Sequence, residues 1–206
     1  GLPLIVDNTF ATPINCRPFE FGADIVIHST TKYMDGHAVQ VGGAIVDSGK
    51  FDWNNGKFPE VTEPDESYHG VVYCKQFGNA AYIAKARAHL MRDLGAQASP
   101  QNAFLLNLGL ETLALRMERH SSNAKKVAAY LAKHPKIDWV WHASLPDNKY
   151  HKLAEKYLPD GQGGMLSFGI KGDVKKAATF MEALRLVTQE THVADVRSCV
   201  LHPAST

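Results

Sequence analysis

The sequence predicts an α/β unit followed by a smaller α+β unit, and three features support this fold class. Short apolar runs near the amino end finish on polar residues, which is typical of strands in an α/β sheet. The middle of the chain carries apolar residues at helical spacing. Beyond it, two segments that alternate like half-buried strands flank a further helical segment. We expect the boundary between the units inside the helical region, after residue 113.

Three apolar runs are the predicted strands of the first unit. Residues 4–6 are Leu, Ile and Val and end at Asp7, residues 24–28 run towards Lys32, and residues 43–47 follow a Gly-rich turn. Continuous apolar runs of this kind predict parallel strands that are covered on both faces. In such sheets ligands bind beyond the carboxyl ends of the strands, so the polar residues there are candidates for function.

A long loop and three helices follow these strands. Residues 51–73 are polar and aromatic and contain several helix-breaking residues, which predicts a loop. The first helix ends at a stop signal, Gly95, and the second begins with Ser99 as N-cap and Pro100 as its first residue. Pro135 ends the third helix. The predicted helices cover residues 79–94, 100–117 and 121–134.

The second unit is predicted from alternation and helical spacing in the remaining residues. Residues 137–141 and 165–170 alternate as half-buried strands do, and residues 173–186 have the spacing of a helix between strands. This order of strand, helix and strand indicates an α+β unit over residues 114–206.

Composition narrows the class of protein. The chain has 206 residues and a net charge of +1, so there is no electrostatic reason to expect nucleic acid or a membrane surface as a partner. No apolar run is long enough to span a bilayer. Its three cysteines are far apart, which favours free thiols and a cytoplasmic location. The ten histidines show no metal-ligand spacing, so we expect no metal site.

Asp7 and Lys32 are the most informative residues because each stands at the carboxyl end of a predicted strand. Alone, either residue is better explained as a helix cap or a surface loop residue. Ser29 and Thr31 add two hydroxyl groups on either side of Thr30, next to the lysine. An amine, an acid and hydroxyl donors are the groups that pyridoxal 5'-phosphate (PLP) requires of a protein.

Four motifs in order along the chain resemble the Cys/Met-metabolism PLP enzymes, a family of cystathionine synthases and lyases, methionine γ-lyase and homoserine-ester sulfhydrylases. The motifs are Val-Asp-Asn-Thr-Phe at 6–10, Ser-Thr-Thr-Lys-Tyr at 29–33, Gly-His at 36–37 and His-Pro-Ala-Ser at 202–205. Within the family, further segments resemble O-acetylhomoserine sulfhydrylases. These segments are residues 51–58, 62–65, 67–70 and 92–95.

The resemblance implies the fold of a PLP-dependent transferase, aspartate-aminotransferase-like and of fold type I. Residues 1–113 would form the carboxyl half of the large PLP-binding domain, and residues 114–206 most of the C-terminal small domain. We therefore expect an internal segment of a longer protein, with a Gly-rich phosphate loop and a ring-stacking tyrosine before residue 1 and a carboxylate-binding arginine after residue 206. One departure is Ala38, where family members often have glycine.

The resemblance also implies roles for individual residues. Lys32 would be the catalytic residue, carrying PLP as a covalent Schiff base and shuttling protons. Asp7 would hold the proton on the pyridine nitrogen, while Ser29 and Thr31 would bind the phosphate. His192 and Val193 fall, loosely assigned, where the family contacts the substrate carboxylate.

The implied reaction is a γ-replacement on O-acetylhomoserine with sulfide or a small thiol, which gives homocysteine or methionine and acetate. The alternatives are a methionine γ-lyase or cystathionine γ-synthase or lyase of the same family, or a non-catalytic fragment that keeps the fold. The implied assembly is a homotetramer built as a dimer of dimers.

Overall fold

A three-stranded sheet near the amino end organises the computed structural model, which describes residues 1–205. Its strands are β1 (Ile5–Asp7), β2 (Ile25–Ser29) and β3 (Gly43–Asp47). β1 and β2 are parallel, with Asp7 opposite Ile27, and β3 runs antiparallel to β2, with Gly43 opposite Ser29. The carboxyl ends of β1 and β2 and the start of β3 therefore lie along one edge of the sheet.

The direction of β3 differs from the predicted parallel strand. The connection after Ser29 consists of turns and extended backbone and contains no helix, whereas a parallel crossover usually requires one. Coverage also differs from the prediction, because Leu4, Ile5 and Ile45 are each about half exposed, at 51%, 48% and 48%. Within residues 1–205 the sheet is thus only partly covered.

The predicted loop over residues 51–73 has more structure than expected. It contains helix α2 (Pro59–Thr62) and a 3-10 turn at Glu66–Tyr68, and α3 (Tyr73–Phe77) begins at its end. Its aromatic residues bury the segment against β2, and Trp53 stacks on Tyr82 with 5.3 Å between ring centroids. Hydrophobic burial therefore orders a segment that has no helical or strand periodicity.

The helical region has the predicted end at Gly95 and the predicted N-cap at Ser99, but the break between its last two helices lies elsewhere. Gly95 ends the first helix in a left-handed conformation, with φ +71°, and the Ser99 hydroxyl accepts a hydrogen bond from the Asn102 N–H at 3.1 Å. The predicted break between residues 117 and 121 is wrong, because the chain breaks at Thr112 instead. The helices are α4 (Ala81–Lys85), a π-helical turn at Ala86–Met91, α5 (Arg92–Leu94), α6 (Pro100–Glu111) and α7 (Leu113–Ala132).

The second unit contains the predicted strands and helix with shorter bounds. β4 (Ile137–Trp141) pairs antiparallel with β5 (Ser167–Ile170), and the Asp173 carboxylate caps the following helix by accepting the Lys176 N–H at 3.1 Å. The short helix at His151–Tyr157 and the parallel pair of two-residue strands at Thr188–Gln189 and Cys199–Val200 were not predicted, and neither was the short helix at Thr12–Asn15 in the first unit. The elements not yet labelled are α1 (Thr12–Asn15), α8 (His151–Tyr157), α9 (Val174–Glu182), β6 (Thr188–Gln189) and β7 (Cys199–Val200).

A small hydrophobic core lies around the turn that follows Lys32. Tyr33, Leu113, Met117 and Ala194 are all buried and pack together, although they come from three distant parts of the chain. This core spans the predicted boundary at residue 113, so the division into two domains stays a prediction. Over residues 1–205, no helix combines the length and the hydropathy needed to cross a membrane.

Candidate active site

Asp7 and the segment that carries Lys32 lie at the same edge of the sheet. This follows from the parallel pairing of β1 with β2, which places the end of β1 beside the end of β2. Lys32 comes three residues after β2, in a helical turn closed by a hydrogen bond from the Gly36 N–H to the Lys32 carbonyl at 2.9 Å. The structure therefore brings together the two strand ends that the sequence singled out.

The Asp7 carboxylate is fixed by Thr9. Its Oδ1 atom accepts hydrogen bonds from the Thr9 hydroxyl at 2.6 Å and from the Thr9 N–H at 3.0 Å. These bonds stabilise the ionised form and are the main reason that the pKa of Asp7 lies below its usual value, against a smaller opposing effect of burial. Across residues 1–205 no hydrogen bond reaches Oδ2, so this oxygen is available to an external donor.

Thr9 was missed by the sequence analysis although it is central to the geometry. Its hydroxyl oxygen also accepts the Ser29 N–H at 2.8 Å, so one buried side chain joins the end of β1 to the end of β2. The spacing Asp-x-Thr after a strand was an available signal, because aspartate commonly bonds backbone two residues further on. The second contact depends on strand register and carries no local signal.

His28 is a buried histidine whose charge interacts with that of Asp7. Burial lowers the pKa of His28, while the Asp7 charge and the Asn8 backbone partly oppose the shift. Its Nδ1 atom has no hydrogen-bond partner among the described residues. Burial and the Asp7 charge therefore act on the pKa of His28 in opposite directions, and burial has the larger effect.

Ser29 and Thr31 are both half-buried, while Thr30 between them is buried. The Thr31 hydroxyl accepts the Gly42 N–H at 3.1 Å and lies 3.3 Å from the Gly42 carbonyl, to which it donates. A phosphate contact from Thr31 therefore requires its hydroxyl hydrogen to leave this carbonyl. The Ser29 hydroxyl has no such competitor among residues 1–205.

Lys32 is half-buried, and its amine forms no hydrogen bond or ion pair with any described residue. Lysines at protein surfaces are usually solvated, and buried ones are usually paired with a carboxylate. The unpaired Lys32 amine therefore has no carboxylate to leave before it reacts with an external group.

His192 and Val193 lie in a segment that contacts the turn after Lys32. The next residue, Ala194, packs on Tyr33, and the Val196 N–H donates to the Gly36 carbonyl at 2.9 Å. His192 is half-buried, and its Nε2 atom is buried without a partner among the described residues. The structure thus places this segment against the Lys32 turn, and its contact with a substrate stays a prediction.

The family model for the Cys/Met metabolism PLP-dependent enzymes matches residues 1–206. The chain belongs to this family. A homocysteine synthase of Schizosaccharomyces pombe is 50% identical over 209 residues, which cover 100% of this chain and 49% of that protein.

Solved structures agree with this assignment. A Campylobacter jejuni structure described as an O-acetylhomoserine (thiol)-lyase, which contains N'-pyridoxyl-lysine-5'-monophosphate, has a TM-score of 0.93 at 38% identity and matches 100% of this chain and 49% of that one. A cystathionine γ-synthase of Xanthomonas oryzae pv. oryzae, at 34% identity, has a TM-score of 0.77 and matches 100% of this chain and 45% of that one. The chain spans about half the length of the relatives it matches.

The residues of this Cys/Met-metabolism chain fit PLP on chemical grounds. The open Oδ2 atom of Asp7 belongs to a carboxylate whose pKa is lowered, as a partner for a protonated pyridine nitrogen must be. The unpaired Lys32 amine suits a covalent link to an aldehyde, and the Ser29 hydroxyl suits a phosphate oxygen.

Proposed function

We propose that this chain contributes the cofactor-binding lysine and aspartate of a PLP-dependent O-acetylhomoserine sulfhydrylase. One observation carries the proposal: the parallel pairing of β1 with β2 places the ionised Asp7 carboxylate at the same edge of the sheet as the segment with the available Lys32 amine. The names of the relatives support the reaction, which replaces the acetate of O-acetylhomoserine with sulfide or a small thiol.

Asp7 and Thr9 form the part of the site that faces the cofactor ring. When bound, PLP supplies an electron sink that stabilises negative charge on the substrate carbons next to the amino group. That sink requires a protonated ring nitrogen, and Asp7 holds this proton through its open Oδ2 atom. Thr9 keeps the Asp7 carboxylate ionised and oriented by donating to Oδ1.

Lys32 has two tasks in this proposal. Its Nζ atom holds the cofactor before substrate arrives. As a free amine, the same Nζ atom would remove the proton from the substrate Cα and return protons while the γ-substituent is exchanged. Its lack of an ion-pair partner among residues 1–205 supports this role, because a paired amine would have to break that pair before each transfer.

Ser29 and Thr31 are proposed to bind the cofactor phosphate through their hydroxyl groups, Ser29 with less reorganisation than Thr31. The segment with His192 and Val193 is proposed to contact the carboxylate of the amino-acid substrate. Its support is the contact between Val196 and Gly36, which brings the segment next to the turn that carries Lys32.

The second candidate is a cystathionine γ-synthase, or a γ-lyase of the same family. The difference in TM-score, 0.93 with the (thiol)-lyase structure and 0.77 with the cystathionine γ-synthase, favours the sulfhydrylase. A third candidate, a non-catalytic fragment, would lack turnover with every sulfur donor.

We further infer a homotetramer built as a dimer of dimers and a cytoplasmic location. The family resemblance supports the assembly. The absence of any disulfide among Cys16, Cys74 and Cys199, all of which are free thiols in the described part of the chain, supports a reducing compartment.

Product analysis tests the proposed reaction. The full protein, loaded with PLP, is incubated with O-acetylhomoserine and sulfide, and homocysteine and acetate are measured by mass spectrometry. We expect equal amounts of both products, and neither from the Lys32→Ala variant. Formation of 2-oxobutyrate without sulfide would instead support a γ-lyase. Formation of cystathionine from added cysteine, with no homocysteine from sulfide, would support the synthase.

A further inference from the structure

The turn that carries Lys32 ends in backbone carbonyls that its own hydrogen bonds leave free. The turn is closed by bonds from the Asp35 N–H to the Thr30 carbonyl at 3.2 Å and from the Gly36 N–H to the Lys32 carbonyl at 2.9 Å. The Tyr33 and Met34 carbonyls have no backbone donor in the described part of the chain. Such carbonyls at the end of a helical turn need another donor and favour a positive charge.

Arg116 supplies those donors from helix α7. Its Nη1 atom donates to the Tyr33 carbonyl at 2.6 Å, and its Nη2 atom donates to the Met34 carbonyl at 3.4 Å and to the Gly109 carbonyl at 2.6 Å. Its Nε atom donates to the Thr112 hydroxyl at 3.0 Å. One guanidinium therefore ties the Lys32 turn to the last turn of α6 and to the break between α6 and α7.

Two glycines make room for this arrangement. A Cβ atom at Gly36 would overlap the Arg116 guanidinium, and Gly36 also has a left-handed backbone with φ +72°. A Cβ atom at Gly109 would lie only 2.6 Å from the Met34 carbonyl oxygen. Glycine at 109 thus allows α6 to lie close to the turn, and glycine at 36 leaves room for the Arg116 guanidinium.

The charges around the turn are consistent with a fixed arginine. Burial lowers the pKa of Arg116, and the negative charge of Asp35 opposes that shift. Asp35 is completely buried and accepts the Val39 N–H at 3.1 Å, so it holds the backbone that follows the turn. Arginine stays charged under these conditions, because its pKa is far above neutral.

We propose that Arg116 is a positioning residue for Lys32. By holding the Tyr33 and Met34 carbonyls, it fixes the turn that presents the lysine amine, and it couples that turn to the junction of α6 and α7. The inference rests on the proposed function of Lys32. A lysine at position 116 would place one charge near the carbonyls but could not span three of them, since only the planar guanidinium presents several donors in a fixed fork.

Steady-state kinetics and the cofactor spectrum of the full PLP-loaded protein test this role. The variants are Arg116→Met and Arg116→Lys, with Arg119→Ala as the matched control because Arg119 is an exposed arginine on the same helix. We expect Arg116→Met to lower kcat by about tenfold to hundredfold, since small misplacements of a reacting group cost that much. KM should change little, the pH midpoint of the visible cofactor band should shift, and Arg116→Lys should be intermediate.

The outcomes separate this role from a structural one and from the proposed function. If Arg116→Met has a lower melting temperature but native kcat and a native pH midpoint of the cofactor band, the positioning role is overturned. The same holds if its kcat and pH midpoint equal those of Arg119→Ala. If Arg116→Met does not fold, Arg116→Lys decides the matter, and native values in that variant would overturn the proposal. If the unmodified protein makes no homocysteine, the proposed reaction fails, and the pH midpoint of the cofactor band still tests Arg116.

Discussion

Replacing Thr9 with valine tests whether one hydroxyl joins the two strand ends of the site. Valine keeps the shape of threonine but removes the oxygen that donates to Asp7 at 2.6 Å and accepts the Ser29 N–H at 2.8 Å. The Asp7 carboxylate is exposed, whereas the Ser29 amide is part-buried. Loss of the two hydrogen bonds therefore lowers the free energy of unfolding by different amounts.

The Ser29 amide accounts for the larger part of the expected loss of unfolding free energy. A part-buried N–H left without a partner costs about 1–2 kcal/mol, whereas water replaces most of the bond to exposed Asp7, a loss of about 0.5 kcal/mol. The sum is about 2 kcal/mol, or roughly a thirtyfold larger unfolding constant. Because the Thr9 hydroxyl is also the main cause of the lowered pKa of Asp7, that pKa should rise towards its usual value of 3.8 in the variant.

Urea unfolding at neutral pH measures the stability, and carboxyl NMR during an acid titration measures the pKa of Asp7. Thr9→Ser is the matched control, since serine keeps the hydroxyl and loses only a methyl group. Equal stability of Thr9→Val and Thr9→Ser, or the same pKa of Asp7 in both variants, would contradict the bridging role of the Thr9 hydroxyl.

Three further predictions concern charge, backbone and pH. Asp7→Asn should retain PLP but lose most of its turnover, because a neutral amide cannot hold the ring proton; near-native kcat would contradict the role of Asp7. Ala38→Gly should stabilise the fold by about 0.5–1 kcal/mol, since exposed Ala38 has a left-handed backbone with φ +57° that costs an L-residue about 1–2 kcal/mol, partly offset by glycine entropy. The control Ala129→Gly, at an exposed position in α7, should destabilise the fold instead. If urea unfolding shows the same change in stability for both variants, the backbone of Ala38 is not strained. Burial lowers the pKa values of His28, His120 and His142 from 6.5, so the unfolded chain takes up protons first as the pH falls. Stability should therefore decrease as the pH falls below about 6.5 towards the folded pKa values, and a flat urea midpoint across this range would disagree.

The sequence predicted the parts of the site that depend on single strands. Asp7 and Lys32 could be placed together because parallel strands present their carboxyl ends at one edge, and the pairing of β1 with β2 confirms that arrangement. The helix cap at Ser99 was also predicted, since capping depends on residues within one turn.

The missed features depend on residues far apart in the chain. The Arg116 contact with Tyr33 joins positions 83 residues apart, and the Thr9 contact with Ser29 requires the register of two strands. The direction of β3 was missed because an apolar run has the same appearance in parallel and antiparallel strands. The break at Thr112 was missed because neither glycine nor proline stands at Glu111, Thr112 or Leu113 as a local stop signal.

The central claim is that Lys32 holds the cofactor, and reductive trapping tests it most directly. The full protein is loaded with PLP, reduced with borohydride to make the link permanent, digested and mapped by tandem mass spectrometry. Lys50 and Lys57, which are exposed and lie outside helices and strands, serve as internal reference lysines. We expect a phosphopyridoxyl group on the peptide that contains Lys32, at Lys32 itself, and its absence from the Lys32→Ala variant. A label on another lysine, or equal labelling of Lys32→Ala, would contradict it.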